Sequence, residues 1–161
     1  MSCLMHEILI RPYLPEDCDA LIDVFRTSVR QTGLRHYSLD QVIAWAPDEI
    51  DATAWDARRS SHPTWIAEVE GKTVGFSDLE ADGHLDMLYV HPDFQRQGVA
   101  SALLRTVEST ACKSGHKRLY TESSIGARPF FERSGFNLIV AQTVLCRGQT
   151  FLNYRMEKML L

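Results

Sequence analysis

The residues best suited to chemistry stand in one stretch, Leu85-Asp86-Met87-Leu88-Tyr89-Val90-His91-Pro92-Asp93-Phe94-Gln95-Arg96-Gln97-Gly98-Val99-Ala100-Ser101-Ala102-Leu103-Leu104. It reads as a strand, a loop and a helix entrance with small residues. A helix N-terminus presents backbone N–H groups that have no partner within the helix, together with the positive end of the helix dipole, and both attract phosphate. Gly98 and Ala100 strip side-chain bulk from that point, so a diphosphate can approach the main chain. Taken alone, the same Gly-x-Ala start also suits a plain strand-to-helix turn. A dinucleotide-binding oxidoreductase would carry Gly-x-Gly-x-x-Gly with an acidic residue further on, whereas this loop continues Gly98-Val99-Ala100-Ser101-Ala102-Leu103.

The elements that must hold this segment follow from spacing. Ile8-Leu9-Ile10-Arg11 predicts a strand ending at Pro12. Pro15-Glu16-Asp17 starts a helix with an acidic first turn, continued by Ala20, Leu21, Val24 and Phe25 at helical spacing. Ser38 with Gln41 forms a capping-box pattern before Val42, Ile43 and Trp45, and Pro47 stops the helix it opens. Asp51 to Ser61 reads as a short helix or an ordered loop. Trp65 to Val69 and Val74 to Leu79 predict strands joined by a hairpin at Glu70-Gly71-Lys72. Asp82-Gly83 then predicts a turn into a further antiparallel strand, His84 to His91. Ala100, Leu103, Leu104, Val107 and Ala111 share a helical face that ends near Gly115. After it come a strand (Lys117 to Ser124), a short helix (Ala127 to Ser134) closed by Gly135, and a hairpin of Phe136 to Cys146 with Phe151 to Met159.

Bulk composition narrows the function classes. With 161 residues, 45% of them hydrophobic, the chain suffices for one sizeable core, so residues 1–161 are expected to form a single domain. A formal net charge of -4 and no clustered basic segment argue against nucleic acid as a partner. Cys3, Cys18, Cys112 and Cys146 are too scattered for a zinc knuckle or a redox dithiol, so they are expected to be reduced and structural, and no metal is expected. No apolar run approaches the roughly 20 residues of a membrane span, and Met1 to His6 lack the order of an export signal. A cytoplasmic protein with no membrane partner is the expectation.

Two separated motifs carry a family resemblance. Gln95-Arg96-Gln97-Gly98-Val99-Ala100 after Val90-His91-Pro92 closely resembles the GNAT N-acetyltransferase signature, Gln/Arg-x-x-Gly-x-Gly/Ala after a strand ending in Val-x-Pro. Ser124-Ile125-Gly126-Ala127-Arg128-Pro129-Phe130-Phe131-Glu132-Arg133-Ser134-Gly135-Phe136 is similar to that family's later Asn-x-x-Ala-x-x-Phe-Tyr-x-x-x-Gly-Phe. The resemblance covers most of the chain from Thr64 onward. It implies an α/β (α+β) fold with a mixed, mostly antiparallel central sheet of about six to seven strands flanked by helices, and a splayed strand pair at the coenzyme site.

The resemblance also implies a chemistry: acetyl-CoA as co-substrate, and an acetyl group moved to a primary amine by direct attack in a ternary complex. The N–H of Leu88 would face the thioester carbonyl and that of Val90 the pantetheine arm, with Tyr89 between them. The main chain of Gln95, Arg96, Gln97, Gly98, Val99, Ala100 and Ser101 would hold the pyrophosphate, and Ser124 and Phe131 fall on the coenzyme side of the later motif. An N–H aimed at the carbonyl stabilises the developing oxyanion by about 2.7 to 4 kcal/mol. An ammonium must lose a proton before it attacks. His84 stands where the family often has a glutamate, and an imidazole of ordinary pKa about 6.5 is available in neutral form near physiological pH. By strand alternation Asp86 shares its face, and either residue is a candidate base.

Phe131 departs from the family pattern, because a phenyl ring cannot protonate the leaving thiolate. Ser124, Tyr120, Tyr154 or water would replace the missing tyrosine. That departure, with the absent strand glutamate, leaves an alternative reading: a non-catalytic acyl-CoA sensor or interaction module. Trp45, Trp55 and Trp65 suit either an acceptor pocket or core packing. Glu68, Asp78 and Glu122 suit either attraction of a cationic amine or simple solvation, and Arg105, Lys113 and Lys117 have no assigned role. The acceptor, a small molecule or a peptide amine, is not specified by sequence, and exposed strand edges leave room for a homodimer.

Overall fold

The computed structural model describes residues 7–161, so Cys3 and the segment Met1 to His6 lie outside the described residues. In chain order the elements are β1 (Ile8–Pro12), α1 (Cys18–Thr32), α2 (Leu39–Trp45), α3 (Ala52–Ser60), β2 (Thr64–Val69), β3 (Lys72–Asp78), β4 (Leu88–Val90), α4 (Val99–Lys113), β5 (Arg118–Ser123), α5 (Arg128–Arg133), β6 (Asn137–Cys146) and β7 (Gln149–Met159). Local chemistry explains several of the boundaries. The carboxylate of Asp17 accepts from both Nη atoms of Arg11 at 2.9 and 2.8 Å and from the N–H of Leu14 at 2.8 Å, which pins the entry to α1. Ser38 Oγ accepts from the N–H of Gln41 at 3.1 Å while Gln41 Oε1 accepts from the N–H of Ser38 at 2.7 Å, the capping box expected for α2. Asp51 caps α3 through the N–H of Ala54 at 3.2 Å, and the helical alternative for that segment is the observed one.

Seven strands form two antiparallel sheets among the described residues, ordered β1-β2-β3-β4 and β5-β7-β6. The last hairpin therefore inserts β7 between β5 and β6. The two sheets touch where His84 and Tyr120 form a parallel bridge. There the N–H of Leu85 donates to the carbonyl of Tyr120 at 2.9 Å, and Thr121 Oγ1 donates to the carbonyl of Leu85 at 2.8 Å.

The strand expected over His84 to His91 is much shorter, because pairing with β3 begins only at Leu88. Asp78 is the physical reason. Its carboxylate is fully buried, and Oδ1 accepts from the N–H groups of Asp86 and Met87 at 3.0 and 2.9 Å, donors that a continuing ladder would use. The chain between Leu79 and Met87 is thus loop, joined first to β5 and only then to β3.

Packing follows the alternation of the first sheet. Ile66 and Phe76 face α1 with Leu21, Val24, Phe25 and Val29, whereas Ala67 and Val90 face α4 with Val99 and Leu103. A third buried cluster joins Leu104 and Val107 of α4 to Leu119, Phe131, Phe136 and Met156 under the second sheet. No helix among the described residues is long and apolar enough to cross a membrane.

Candidate active site

β4 is the last strand of its sheet, so one of its edges is open. The N–H of His91 donates to the carbonyl of Val74 at 2.7 Å. Antiparallel hydrogen bonds alternate along a strand, so Tyr89 also pairs toward β3 while the N–H groups of Leu88 and Val90 point to the free edge. β5 pairs with β7 and meets the approach to β4 only at the His84 bridge. The two strands do not pair beyond it, and the edge of β4 in the gap carries main-chain N–H groups that have no strand partner among the described residues.

The loop after β4 leads these donors to a helix entrance. A 3-10 turn over Pro92–Phe94 is tied by His91 Nδ1, which accepts from the N–H of Asp93 at 3.1 Å. Arg96 and Gly98 then take left-handed conformations with φ of 59° and 87°. Gly98 is the N-cap of α4, and the N–H of Ala102 donates to the carbonyl of Gly98 at 3.0 Å. The N–H groups of Val99, Ala100 and Ser101 lie in the turn whose donors have no partner within the helix. Side chains here stabilise the loop itself. Gln95 donates to Thr32 Oγ1 at 3.2 Å, Gln97 to the carbonyl of Asp93 at 3.3 Å, and Val99 is buried in the core.

On the α1 side of β4 lies a cavity of about 690 Å³. Rings of Phe25, Trp45, Trp55, Tyr89 and Phe151 wall it, and Asp86, Glu122 and Ser124 line it beside the splayed strands. Trp65 is not part of the wall and packs in the core instead.

His84 sits between two carboxylates rather than alone beside the cavity. Nδ1 is 2.6 Å from Glu80 and Nε2 is 2.5 Å from Glu122, and the ring stacks on Tyr120 with centroids 4.7 Å apart. Burial disfavours the imidazolium, but the hydrogen bonds to Glu122 and Glu80 and the charges of Glu122 and Asp86 outweigh it and push the pKa up to about 9. The expected neutral imidazole is therefore replaced by a cation. The bond to His84 holds the Glu122 carboxyl below the ordinary carboxylate range.

Asp86 is shifted the other way. Burial and the nearby charge of Asp78 raise its pKa against the pull of His84 and Arg59. It also stands 3.6 Å from Arg58 and 3.9 Å from Arg59. Asp86 lies close to His84, as expected, through the loop geometry and not through strand alternation. Ligand-type atoms of Glu80, His84 and Asp86 gather within 4.8 Å, yet both imidazole nitrogens already make short hydrogen bonds, which leaves no free histidine lone pair for a metal.

The candidate acids separate clearly. Phe131 is 3% exposed and packs edge-on against Phe130 and Phe136 with centroids 5.4 and 5.1 Å away, so its ring is part of the core under α4. Tyr120 donates to Asp82, whose hydrogen bond raises its pKa to about 12, and it does not line the cavity. Tyr154 lies under the guanidinium of Arg128 at 4.5 Å. Ser124 alone of the three candidate side chains reaches the cavity, where its Oγ accepts from the N–H of Ala127 at 3.1 Å.

Two residues gain importance that spacing did not signal. Asp78, weighed with Glu68 as a solvated strand acid, is the hub described above, with His62 Nε2 at 2.7 Å and Arg59 Nη1 at 3.5 Å on its second oxygen. Glu68 is likewise engaged, by Arg11 Nε at 2.9 Å. Tyr37 donates to the carbonyl of Leu152 at 2.6 Å and accepts from the N–H of Ile125 at 3.1 Å, which ties β7 to the loop after β5 at the cavity wall.

A strand pair splayed beside a glycine-capped helix entrance, with a lined cavity on the other side, defines an acyl-CoA type of transferase fold. Comparisons with known proteins agree. Residues 33–158 match the model of the acetyltransferase (GNAT) domain. The uncharacterized N-acetyltransferase YafP of Escherichia coli strain K12 is 38% identical over 153 residues, covering 95% of this chain and 97% of that protein. A crystal structure of a GCN5-related N-acetyltransferase from Rhodopseudomonas palustris superposes with a TM-score of 0.93 at 35% identity, over 99% of this chain and 100% of that one. The PaiA N-acetyltransferase of Thermoplasma acidophilum, solved in complex with coenzyme A, shares the fold with a TM-score of 0.79 at 22% identity, over 95% and 99% of the two chains. This chain belongs to the GNAT acetyltransferase family.

Proposed function

We propose that the chain acts as one domain that takes acetyl-CoA and transfers its acetyl group directly to a primary amine bound in the cavity. The single observation that supports this most is the open edge of β4. Leu88 and Val90 present unpaired main-chain N–H groups between a left-handed, glycine-capped helix entrance and a cavity lined by carboxylates. The residues present suit the coenzyme: donors of residues 96–101 for a diphosphate, and a strand edge for an amide-bearing arm. When bound, acetyl-CoA would supply a thioester with a thiol leaving group of ordinary pKa near 8.5, which needs no strong acid.

The chain's own groups then divide the work. The N–H of Leu88 faces the carbonyl oxygen and stabilises the charge that develops on it. Asp86 receives the proton of the incoming ammonium, directly or through water, because burial raises its basicity while Glu122 is made less basic by His84. His84, as a cation, positions Glu122 at the cavity wall. It is thus assigned to positioning and Asp86 to proton transfer.

The test is an acetyl-CoA consumption assay over a panel of amines, run with Asp86→Asn beside the parent chain, together with calorimetry of coenzyme A. Asp86→Asn is expected to lower kcat by roughly 10²-fold or more with the acetyl-CoA KM little changed. Undiminished turnover in that variant refutes the base assignment, and no heat from coenzyme A at millimolar ligand refutes the whole reading.

A further inference from the structure

The cavity is a preformed room for a small molecule. At about 690 Å³ it falls inside the roughly 300 to 1,000 Å³ range of small-ligand sites. Its roof, the segment between α2 and α3, is pinned by α1. Arg26 Nε donates to the carbonyl of Pro47 at 3.2 Å and its Nη2 to that of Asp48 at 2.9 Å, while Arg30 Nε donates to that of Ala46 at 3.0 Å. The last hairpin closes the far wall, with Arg147 Nη1 donating to the carbonyl of Ala44 at 2.8 Å and the carbonyl of Thr150 accepting from Gln41 at 2.6 Å.

Both charges and rings line this room. Asp86 and Glu122 belong to the segments that flank the splay, so the amine end of an acceptor is drawn there, next to Leu88. Much of the remaining lining is aromatic and comes from separate elements. Trp45 and Trp55 are only half-buried and both line the cavity. Trp45 meets Tyr89 and Phe151 edge to face at 6.3 and 6.1 Å, and Phe25 packs with Trp55 at 5.0 Å. An added aryl ring extends such an edge-to-face set, which an alkyl chain cannot do. At the rim Glu49 and Asp51 are exposed, where water screens a charge, so the strong cation position is the one beside the half-buried Asp86.

Resting on the transfer reading above, we propose that the acceptor is a monocationic arylalkylamine: a primary ammonium beside Asp86 and Glu122, with its aromatic body between Trp45 and Trp55. Trp45 is the specificity-determining residue. Phenethylamine or tryptamine is expected to exceed hexylamine in kcat/KM by about tenfold, the upper worth of one aromatic pair, and to exceed putrescine and a lysine-containing peptide by more.

The experiment pairs that panel with binding. Quenching of intrinsic tryptophan fluorescence by phenethylamine reads acceptor binding without turnover, and calorimetry of coenzyme A reads the other half-site. Trp45→Leu is expected to weaken phenethylamine about tenfold with coenzyme A affinity unchanged, and Trp45→Phe to restore most of the preference for an aryl body. A preference for hexylamine, putrescine or the peptide overturns the inference and leaves acetyl transfer standing. Binding of phenethylamine that depends on Trp45, with no amine acetylated despite coenzyme A binding, supports the arylalkylamine site, overturns its role as acceptor and refutes the transfer reading.

Discussion

Replacing Asp78 tests how the open edge of β4 is made. In Asp78→Ala the N–H groups of Asp86 and Met87 lose their acceptor at 3.0 and 2.9 Å, and His62 loses its partner at 2.7 Å. A buried donor left without an acceptor costs about 1 to 3 kcal/mol. Arg59, 2% exposed, also loses one of its two carboxylates and keeps only Asp86 at 3.9 Å. Removing one partner of a buried pair costs about 3 to 5 kcal/mol when nothing compensates. Because Asp86 remains and the loop can relax, we expect the sum to fall near 3 to 5 kcal/mol rather than at the total of its parts. That is a large share of the roughly 5 to 15 kcal/mol that holds a domain together.

Asp78→Asn separates stability from catalysis. Its Oδ1 can still take both N–H groups, so the path into β4 survives and the urea midpoint should drop less than in the alanine variant. The negative charge that helps to raise the Asp86 pKa disappears, however. As the proposed base Asp86 works deprotonated, so the acid limb of the kcat profile is expected at its raised pKa and should move to lower pH in Asp78→Asn. Urea unfolding and a pH profile of kcat are the assays. Parent-like stability in Asp78→Ala, or an unmoved acid limb in Asp78→Asn, refutes the reasoning.

His84 makes stability depend on alkali. Its pKa is raised in the folded chain, so its stabilisation is complete below the ordinary 6.5 and is lost as pH rises through about 9. Thermal melts should show the parent losing stability across that window while His84→Gln stays flat, and parallel curves would refute the ion-pair assignment. Gly98 holds φ of 87° with only Ile8 Cδ1, among the described residues, near its missing side chain at 3.9 Å, so Gly98→Ala meets backbone strain and not a clash. We expect about 1 to 2 kcal/mol of destabilisation and a raised KM for acetyl-CoA. Gly71→Ala carries similar strain at φ of 76° in open space, and it should leave that KM unchanged. Equal KM effects in the two variants would count against the role of the loop.

What the sequence made legible was local. Ser38 and Gln41 cap α2 across three residues, and Val90-His91-Pro92 with Gly98 places the strand, the turn and the helix entrance in one continuous stretch. Misreadings arose where distant groups decide. His84 looks like a neutral base until Glu122 arrives from a strand 38 residues away. The long strand expected from His84 to His91 ignores that Asp78 takes two of its donors. The Phe131 ring follows a family motif in spacing, yet its burial among Phe130 and Phe136 depends on how α5 lies over the second sheet. The insertion of β7 between β5 and β6 is a matter of topology that no local spacing encodes.

The buried polar cluster explains why the splay and the proposed base occur together. A strand edge stays free for a ligand only if its neighbour is held away, and here two separate hydrogen-bond sets do this. Tyr120 and Thr121 fasten Leu85 to β5, and Asp78 and Ser77 then draw Asp86 and Met87 toward β3, the latter through Ser77 Oγ donating to the carbonyl of Met87 at 2.7 Å. The chain crosses from one sheet to the other within two residues, so β4 must leave β5 at Leu88. That crossing also buries the Asp86 side chain beside a second carboxylate, and burial first and the Asp78 charge second raise its basicity at the point where the proposed mechanism deprotonates an amine. In the proposed mechanism the geometry of the main-chain donor and the proton affinity of the base therefore share one buried side chain, Asp78, which acts with burial itself on Asp86 and with Ser77, Tyr120 and Thr121 on the strand.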